Sequence, residues 1–309
     1  MAENLAGKKV SIIGGDVREL YVASELLNKG VNIVLYGFEA IKSVNDPISV
    51  HKYLGCNIFA DINTSDAIIL PMPGVNVTGK VMAPYSKEPI IFDEKLCKTI
   101  KTGIPIFVGV ENSYLKKLQS KFEWYVVPIA DLDHVAVYNS IPTAEGALEI
   151  AMKELPITIH GSNSLVLGFG RVGITMARVL RSLGSNTMVA ARDPAQISRA
   201  FEMGCNTVHL ENLKSIVSEC DMIFNTIPAM VLNGEVLSRM SKKTLIVDLA
   251  SSPGGTDFEE AERLGIKAIL APGLPGKVAP ETAGKILGKV YPKLLSDHLV
   301  KDGGVNSES

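Results

Sequence analysis

The sequence is poor in cysteine, has no basic excess and contains no long apolar run, and each absence argues against a class of protein. The four cysteines form no CxxC pair and have no zinc-like spacing to histidine, which argues against a disulfide scaffold and a zinc site. Scattered single thiols are typical of a reducing compartment. Lys and Arg together number 31 and Asp and Glu 33, so nucleic acid is not an expected partner.

Membrane insertion and secretion are not indicated either. No stretch approaches the ~18 apolar residues that a spanning helix needs. Residues 1–4 lack the basic and apolar regions of a signal peptide, so we expect a cytoplasmic protein without a membrane partner. The composition, 46% hydrophobic and 21% charged, is that of a globular protein, and a length of 309 residues predicts two domains.

Short Val- and Ile-rich runs alternate with amphipathic stretches, which is the pattern of βαβ units. We predict an α/β fold with a Rossmann-type doubly wound parallel sheet and a smaller flavodoxin-like α/β domain. The N-terminal, substrate-side domain is placed at 1–140 and the dinucleotide-binding domain at 141–285. Residues 286–309 form a C-terminal helix and polar tail that could pack back on the first domain.

The element boundaries follow from the same patterns. Strands are predicted at 9–13, 31–36, 67–70, 104–108, 165–167, 187–191, 207–209, 222–226, 245–249 and 268–270. The segment 43–64 is interpreted as polar and irregular. Ser140 or Thr143 is expected to cap a helix that ends near Glu154, which would place this helix N-terminus at an interdomain cleft.

The run GFGRVG, from Gly168 to Gly173, matches GxGxxG after an apolar strand and before a helix, as a dinucleotide site requires. Gly168 permits the tight turn, Gly170 lets the backbone approach a pyrophosphate, and Gly173 lets the helix pack closely on the strand. The helix N-terminus, at Arg171 and Val172, then presents free N–H groups to the phosphates.

The next strand ends in Arg192 and Asp193, which bear on the choice of nucleotide. An acidic residue here is typical of NAD, whereas Arg suits the 2′-phosphate of NADP. Arg192 lies 19 positions after Gly173, so we favour NADP. Asp193 keeps NAD open, and a solvated surface Arg is the remaining alternative.

Polar and Gly-rich segments follow the carboxyl ends of the other strands, where ligands bind in parallel sheets. We expect the first to face the adenosine and ribose and the later two to approach the nicotinamide and substrate. The residues are Asn225, Thr226, Ile227 and Pro228, then Ser251, Gly254 and Gly255, then Lys277.

Catalytic groups are less clearly indicated. No Ser-His-Asp or metal-ligand set is present, and His160 precedes the Gly-rich strand, at the wrong end of the sheet. His134, Asp16, Glu145 and Lys277 remain as candidate proton acceptors, and no metal site is assigned.

The first domain also opens with a glycine turn, Gly14-Gly15-Asp16, at a helix N-terminus. Such a turn suits an anion, and Arg18 adds positive charge, so Gly15 and Arg18 are candidate carboxylate-binding groups. A plain helix start with an exposed Arg is the alternative.

Seven motifs together resemble one enzyme family, the A subunits of dipicolinate synthase from spore-forming bacteria. They are GGDVRE at 14–19, YNSIPTAEGA at 138–147, TIHGS at 158–162, LGFGRVG at 167–173, NTIP at 225–228, DLASSPGGTDF at 248–258 and APGLPGKVAP at 271–280. More distantly, the domain plan is similar to 2-hydroxy-acid dehydrogenases and adenosylhomocysteine hydrolases.

The resemblance implies oxidation of a dihydrodipicolinate-type precursor to dipicolinate, with hydride passing to NADP, in the mother cell during sporulation. It also implies a flavoprotein-like partner, the B subunit of dipicolinate synthase, and we expect homo-oligomers. A dicarboxylate substrate needs cationic or N–H donors. The candidate groups are Arg18, Lys277, Gly15, Gly254, Gly255, Ser140 and Thr143.

Two other functions stay open. An NAD-dependent 2-hydroxy-acid dehydrogenase would need an Arg–Glu–His set that we do not find in the sequence. A non-catalytic nucleotide-binding protein would leave the chemistry to its partner.

Overall fold

The chain divides into two compact units in the computed structural model, which describes residues 5–42, 46–251 and 253–299. One unit comprises Met1–Val135 with Pro280–Ser309, and the other Ala136–Ala279. The boundaries expected after residues 140 and 285 are therefore observed after residues 135 and 279. The predicted polar tail at 301–309 and Ser252 lie outside the described residues.

The secondary structure alternates between strands and helices. The elements up to residue 154 are β1 Lys9–Ile13, α1 Val17–Asn28, β2 Asn32–Tyr36, α2 Ile58–Thr64, β3 Ala67–Ile69, α3 Glu94–Cys97, β4 Pro105–Val108, α4 Ser113–Phe122, β5 Tyr125–Pro128 and α5 Asp133–Glu154. Those that follow are β6 Asn163–Leu167, α6 Arg171–Ser182, β7 Asn186–Ala191, α7 Pro194–Glu202, β8 Asn206–His209, β9 Met222–Asn225, α8 Gly234–Leu237, β10 Leu245–Asp248, α9 Phe258–Leu264, β11 Lys267–Leu270, α10 Leu274–Val278 and α11 Pro280–Leu299.

The first unit is built on a parallel sheet in the order β2-β1-β3-β4-β5. This is the strand order of flavodoxin-like sheets. Strands β1 and β4 are buried almost end to end, because helices cover both faces of such a sheet.

Helix α11 packs against α1 and so belongs to the first unit. Two glycines of α11 allow this close approach. A Cβ on Gly284 would lie 2.8 Å from Arg18 O, and one on Gly288 would lie 2.6 Å from Glu25 Cγ. Small residues at these positions therefore bring the two helix backbones together.

The second unit contains a parallel six-stranded sheet in the order β11-β10-β9-β6-β7-β8. Counted from β6, this is the doubly wound Rossmann order, and the order reverses between β6 and β9. The predicted α/β class and Rossmann domain are confirmed. All six strands lie within two residues of their predicted bounds.

The predicted start of helix α5, at Ser140 or Thr143, is wrong. Helix α5 begins at Asp133 and contains Pro142 in its interior. Ser140 Oγ and Thr143 Oγ1 donate to main-chain carbonyl groups of the preceding turn at 2.6 and 2.7 Å. The two hydroxyl groups lie on either side of Pro142, whose missing N–H interrupts the main-chain hydrogen bonding of the helix. They do not cap a helix end.

Three elements of the first unit, α2, α4 and β5, are absent from the sequence-based prediction. The segment 43–64 is predicted to be irregular, but its last seven residues form α2. Asn57 Oδ1 accepts from Phe59 N and Ala60 N at the start of α2, and Asn112 Oδ1 accepts from Leu115 N at the start of α4. Asn is a preferred N-cap residue, so both starts carry a readable signal.

Candidate functional site

The glycine turn after β6 has the geometry that a dinucleotide requires. Gly168 has a φ of +84°, a conformation that favours glycine. A Cβ on Gly173 would lie 2.2 Å from Gly168 O, so only glycine lets α6 pack this closely on the turn. A Cβ on Gly170 would meet nothing within 4 Å, and no side chain caps α6. The turn and the helix N-terminus therefore leave space and N–H groups for a pyrophosphate.

A cavity of about 740 Å³ opens over this turn, entirely within the second unit. Ligand sites typically measure ~300–1,000 Å³, so a nucleotide is a suitable occupant. The lining residues are Ala136, Gly168, Phe169, Gly170, Arg171, Val172, Ala191, Arg192, Asp193, Gln196, Thr226, Ile227, Pro228, Leu249, Ala250 and Ser251. Of the predicted cofactor residues, Gly173 and Asn225 do not line the cavity.

The first unit has a cavity of its own, of about 600 Å³, formed by the segments 73–76 and 80–90. Its two lysines, Lys80 and Lys87, are exposed. This cavity has no glycine turn at a helix N-terminus, so the dinucleotide site is assigned to the second unit.

Arg192 and Asp193 follow β7 at one side of the larger cavity. Arg192 is exposed directly after the strand. Asp193 accepts a hydrogen bond from Ala195 N at 2.9 Å and thereby caps α7. One carboxylate oxygen of Asp193 thus has a structural role, while Arg192 lines the cavity.

Asn225, at the end of β9, is fully buried and bonds inward. Its Nδ2 donates to Asp248 Oδ1 at 3.0 Å, and its Oδ1 accepts from Ile227 N at 3.0 Å. The next residues, Thr226 to Pro228, line the cavity. Because β9 lies on the far side of β6 from β7, the strand order favours the nicotinamide half for this loop, while its expected contact with the adenosine and ribose stays a prediction.

Asp248, at the end of β10, is a buried residue that sequence analysis missed. Its Oδ1 accepts from Asn225 Nδ2 at 3.0 Å and from Ala250 N at 3.1 Å. Its Oδ2 accepts from Gly255 N at 2.9 Å and from Thr256 Oγ1 at 2.7 Å. The available signal was an acidic residue that ends an apolar strand and precedes a Gly-rich loop.

The same loop uses its own backbone donors internally. Gly254 N donates to Ser251 O at 2.8 Å, and Gly255 N donates to Asp248. The expectation that Gly254 and Gly255 offer N–H groups to a substrate carboxylate therefore fails, because protein acceptors already take both. Ser251 lines the cavity, and its role in cofactor binding stays a prediction.

The glycine turn of the first unit is not an open anion site. Gly15 N donates to Met82 O at 2.7 Å. The Asp16 carboxylate accepts from Arg18 N, Nε and Nη2, each at 2.9 Å, and Asp16 and Glu19 complete a capping box on α1. These carboxylates occupy the helix N-terminus that a ligand anion would use. The expected substrate roles of Gly15 and Arg18 are therefore not supported by this arrangement.

Glu19 is the second buried acid that sequence analysis missed. Its Oε2 accepts from Asp16 N at 2.7 Å and its Oε1 from Met72 N at 3.3 Å. Burial, and then the charge of Asp16, raise the pKa of Glu19 to about 7. Tyr291 of α11 lies nearby, and burial followed by the charge of Glu19 raises its pKa. The Asp-x-x-Glu spacing was the available signal, since it is a capping-box pattern.

The other catalytic candidates do not line the larger cavity. Glu145 of α5 and Lys277 of α10 are exposed, and so is His134 in the first turn of α5. His160 precedes β6, at the amino edge of the sheet, where a Cβ on Gly184 would lie 2.2 Å from its Nδ1. Among the described residues, these positions do not identify the proton acceptor.

The hydroxyl groups of Ser140 and Thr143 also form hydrogen bonds within the protein. Ser140 is fully buried, and its Oγ lies 2.6 Å from Thr175 Oγ1 of α6. Thr143 bonds within α5. Their expected role in substrate binding is therefore not supported by these contacts.

Neither a cluster of metal-ligating side chains nor a membrane-spanning helix occurs among the described residues. No group of three or more His, Cys, Asp or Glu there is placed to hold a metal ion. Across residues 5–42, 46–251 and 253–299, no helix is long and apolar enough to cross a membrane.

The fold and the glycine turn together define a class of protein. A Rossmann sheet with GxGxxG at its central strand is the dinucleotide site of dehydrogenases. Residues 142–253 match the family described as D-isomer specific 2-hydroxyacid dehydrogenase, NAD binding domain. The second unit is thus an NAD(P)-binding domain of the dehydrogenase type.

Comparisons over the whole chain give the family. Residues 9–130 match the N-terminal domain of the dipicolinate synthase A subunit. The dipicolinate synthase A subunit of Bacillus subtilis (strain 168) is 42% identical over 306 residues, which cover 97% of this chain and 99% of that protein. The chain belongs to the family of dipicolinate synthase A subunits, which confirms the resemblance inferred from its motifs.

Crystal structures of two relatives agree with this assignment. The dipicolinate synthase A subunit from Bacillus halodurans has a TM-score of 0.88 at 41% identity and covers 94% of this chain and 98% of its own. The corresponding chain of dipicolinate synthase from Bacillus subtilis also has a TM-score of 0.88 at 41% identity, with 97% and 100% coverage.

Proposed function

We propose that this chain oxidises a dihydrodipicolinate-type precursor to dipicolinate, with NADP as hydride acceptor and with the flavoprotein-like B subunit of dipicolinate synthase as partner. The whole-chain similarity to dipicolinate synthase A subunits carries the proposal. The cavity over the glycine turn supplies the redox site. In this proposal the enzyme works in the cytoplasm of the mother cell of a spore-forming bacterium.

The reaction balances as the loss of one hydride and one proton, which leaves an aromatic pyridine. Bound NADP⁺ supplies the hydride acceptor, and the protein orients the substrate ring and excludes water. Asp16 accepts three hydrogen bonds from Arg18, which leaves Glu145, Lys277 and His134 as the candidate proton acceptors. Arg171, in the cavity wall, is a candidate cation for the carboxylates, and Lys277 is the other only where it keeps its proton and is not the acceptor.

The preference for NADP rests on Arg192. Its planar fork of donors suits a phosphate, and it stands in the cavity wall where the 2′-phosphate is expected. The neighbouring Asp193 gives part of its hydrogen-bonding capacity to Ala195 N. An NAD site would instead rely on a free carboxylate at this strand end.

Arg192→Ala is expected to remove a preference for NADPH over NADH of about ten-fold or more, the value of a charge-assisted phosphate contact. Nicotinamide fluorescence titrations with both nucleotides, with and without dipicolinate, measure it. Arg239→Ala, an exposed arginine that does not line the cavity, is the matched control. Equal affinity of the wild type for NADH and NADPH would show that Arg192 has no such role. No effect of dipicolinate would argue against the substrate.

Turnover tests the partnership. We expect the chain mixed with the B subunit to form dipicolinate and NADPH in equal amounts from the dihydro precursor and NADP⁺, followed by absorbance. Assays of the chain without its partner then show whether the partner is needed for chemistry. Nucleotide binding without turnover in either assay would favour a non-catalytic role, and oxidation of a 2-hydroxy acid with NAD⁺ would favour the dehydrogenase alternative.

The mass of the purified chain in solution tests the proposed homo-oligomer.

A further inference from the structure

We infer that Asp248 is a positioning residue that sets the shape of the nicotinamide half of the cofactor cavity. Asp248 is fully buried at the end of β10 and does not line the cavity itself. It acts through the two loops that do. The inference rests on the proposed dinucleotide site, but not on the choice between NAD and NADP or on the substrate.

One oxygen of Asp248 connects the two loops. Oδ1 accepts from Asn225 Nδ2 at 3.0 Å, at the end of β9, and from Ala250 N at 3.1 Å, just after β10. The three residues after Asn225 line the cavity, and so do Leu249, Ala250 and Ser251. Both segments of the wall are therefore anchored on one carboxylate oxygen.

The other oxygen of Asp248 holds the far end of the loop that follows β10. Oδ2 accepts from Gly255 N at 2.9 Å and from Thr256 Oγ1 at 2.7 Å. Gly255 lies tightly against the β9 loop, since a Cβ there would lie 2.4 Å from Ala229 O and 2.6 Å from Ile227 O. The loop therefore has little freedom to move once these bonds form.

Only a carboxylate can serve all four donors. An asparagine at this position has one carbonyl oxygen, and its amide NH₂ would replace the other. Whichever way the amide turned, the N–H of Ala250 or Gly255 would then face a second donor and lose its acceptor. A buried donor left unpaired in this way pushes the loop out of its present position.

The effect should be confined to one half of the nucleotide. Strands β9 and β10 lie on one side of β6, and β7, which carries Arg192 at its end, lies on the other. The adenosine half binds over β6 and β7, and the nicotinamide half over β9 and β10. A fragment that contains only the adenosine half therefore separates a local effect from a general loss of structure.

Asp248→Asn is expected to bind NADPH and NADH about ten-fold more weakly than the wild type, with their ratio unchanged. Its affinity for 2′,5′-ADP, the adenosine half of NADP, should change by less than about two-fold. Fluorescence titration measures the dinucleotides, and calorimetry measures 2′,5′-ADP. Equal losses for all three ligands would overturn the inference, as would unchanged binding of the dinucleotides.

A pair of threonine variants decides the matter if Asp248→Asn does not fold. Thr256→Val removes one donor to Asp248, and we expect about three-fold weaker dinucleotide binding. Thr244→Val is the matched control, because Thr244 is also buried and donates at 2.7 Å, but to Cys220 O at the amino end of β10. Similar affinities of the two variants would contradict the inference. Failure of the wild type to bind either dinucleotide would overturn the proposed cofactor as well, which the other outcomes would not.

Discussion

Gly173→Ala is expected to lower the unfolding temperature of the second unit by about 10 °C. The added Cβ would lie 2.2 Å from Gly168 O and 2.9 Å from Gly168 C. Both are main-chain atoms, so no side-chain rotation relieves the overlap. Overpacking costs about 1–3 kcal/mol, and a clash with main-chain atoms belongs at the upper end of this range. Each kcal/mol lowers the melting temperature of a domain of this size by about 2–4 °C. Calorimetry without nucleotide measures the shift.

Gly170→Ala is the matched variant, and we expect the opposite outcome. Gly170 has a φ of −87°, and its Cβ would meet nothing within 4 Å, so the melting temperature should stay within about 2 °C of the wild type. The methyl group would instead occupy the space that the pyrophosphate needs, and NADPH should bind about 100-fold more weakly. Wild-type affinity in this variant would show that no pyrophosphate approaches the turn. An unchanged melting temperature for Gly173→Ala would contradict the packing role of that glycine.

The architecture of the second unit could be predicted from sequence because its signals are local. Buried parallel strands appear as short apolar runs, and glycine or proline follows nearly every one. The GxGxxG run then identifies which strand carries the phosphates, because each glycine meets a separate steric demand. The structure shows two of these demands directly, at Gly168 and Gly173.

Helix α5 shows where local rules fail. Pro142 favours a helix boundary just before it, and Ser140 and Thr143 are good cap residues. However, α5 continues on both sides of the proline, and its small residues Ala144, Ala147 and Ala151 are fully buried in the core of the second unit. Ser140, before the proline, is equally buried, so tertiary packing outweighs the local preference on both sides. The helical spacing of the alanines indicates a helix only after Pro142 and gives no signal for the turns before it.

Polar partners were the least predictable feature. Arg18 and the pair Gly254-Gly255 have the right chemistry for a carboxylate. The sequence indicated a helix N-terminus for Arg18 and a loop after a strand for the two glycines. It could not show that Asp16 already accepts from Arg18, Ser251 O from Gly254 N, and Asp248 from Gly255 N. Hydrogen-bonding capacity is a property of the residue, but its availability depends on the three-dimensional neighbours.

Glu19 should make the stability of the first unit fall as the pH rises through neutrality. Its ordinary pKa is 4.5, and burial together with Asp16 raises it to about 7 in the folded state. The folded state therefore binds the proton more tightly than the unfolded state between these values. The stabilising contribution is complete below about pH 4.5 and is lost as the pH rises through about 7, with a full size of at most about 3 kcal/mol.

Denaturant unfolding of the wild type and Glu19→Gln at pH 5 and pH 8 measures this contribution. Relative to the variant, the wild type should lose up to about 3 kcal/mol between the two pH values. Three groups face Glu19: Asp16, Arg18 and Tyr291. Arg18 stays charged, and the raised pKa of Tyr291 keeps it neutral, so Asp16 supplies the negative charge that raises the pKa of Glu19. Replacing it, as Asp16→Asn, should reduce the pH dependence of the wild-type chain.

Glu149→Gln is the control, since Glu149 lies exposed on α5 and pairs only with Lys153 among the described residues. Its pH profile should run parallel to the wild type. If the wild type and Glu19→Gln also ran parallel, Glu19 would be ionised throughout this range, and the capping box would hold two charged carboxylates beside a single arginine. The raised pKa would then be wrong, and Arg18 would have to balance both charges within the first turn of α1.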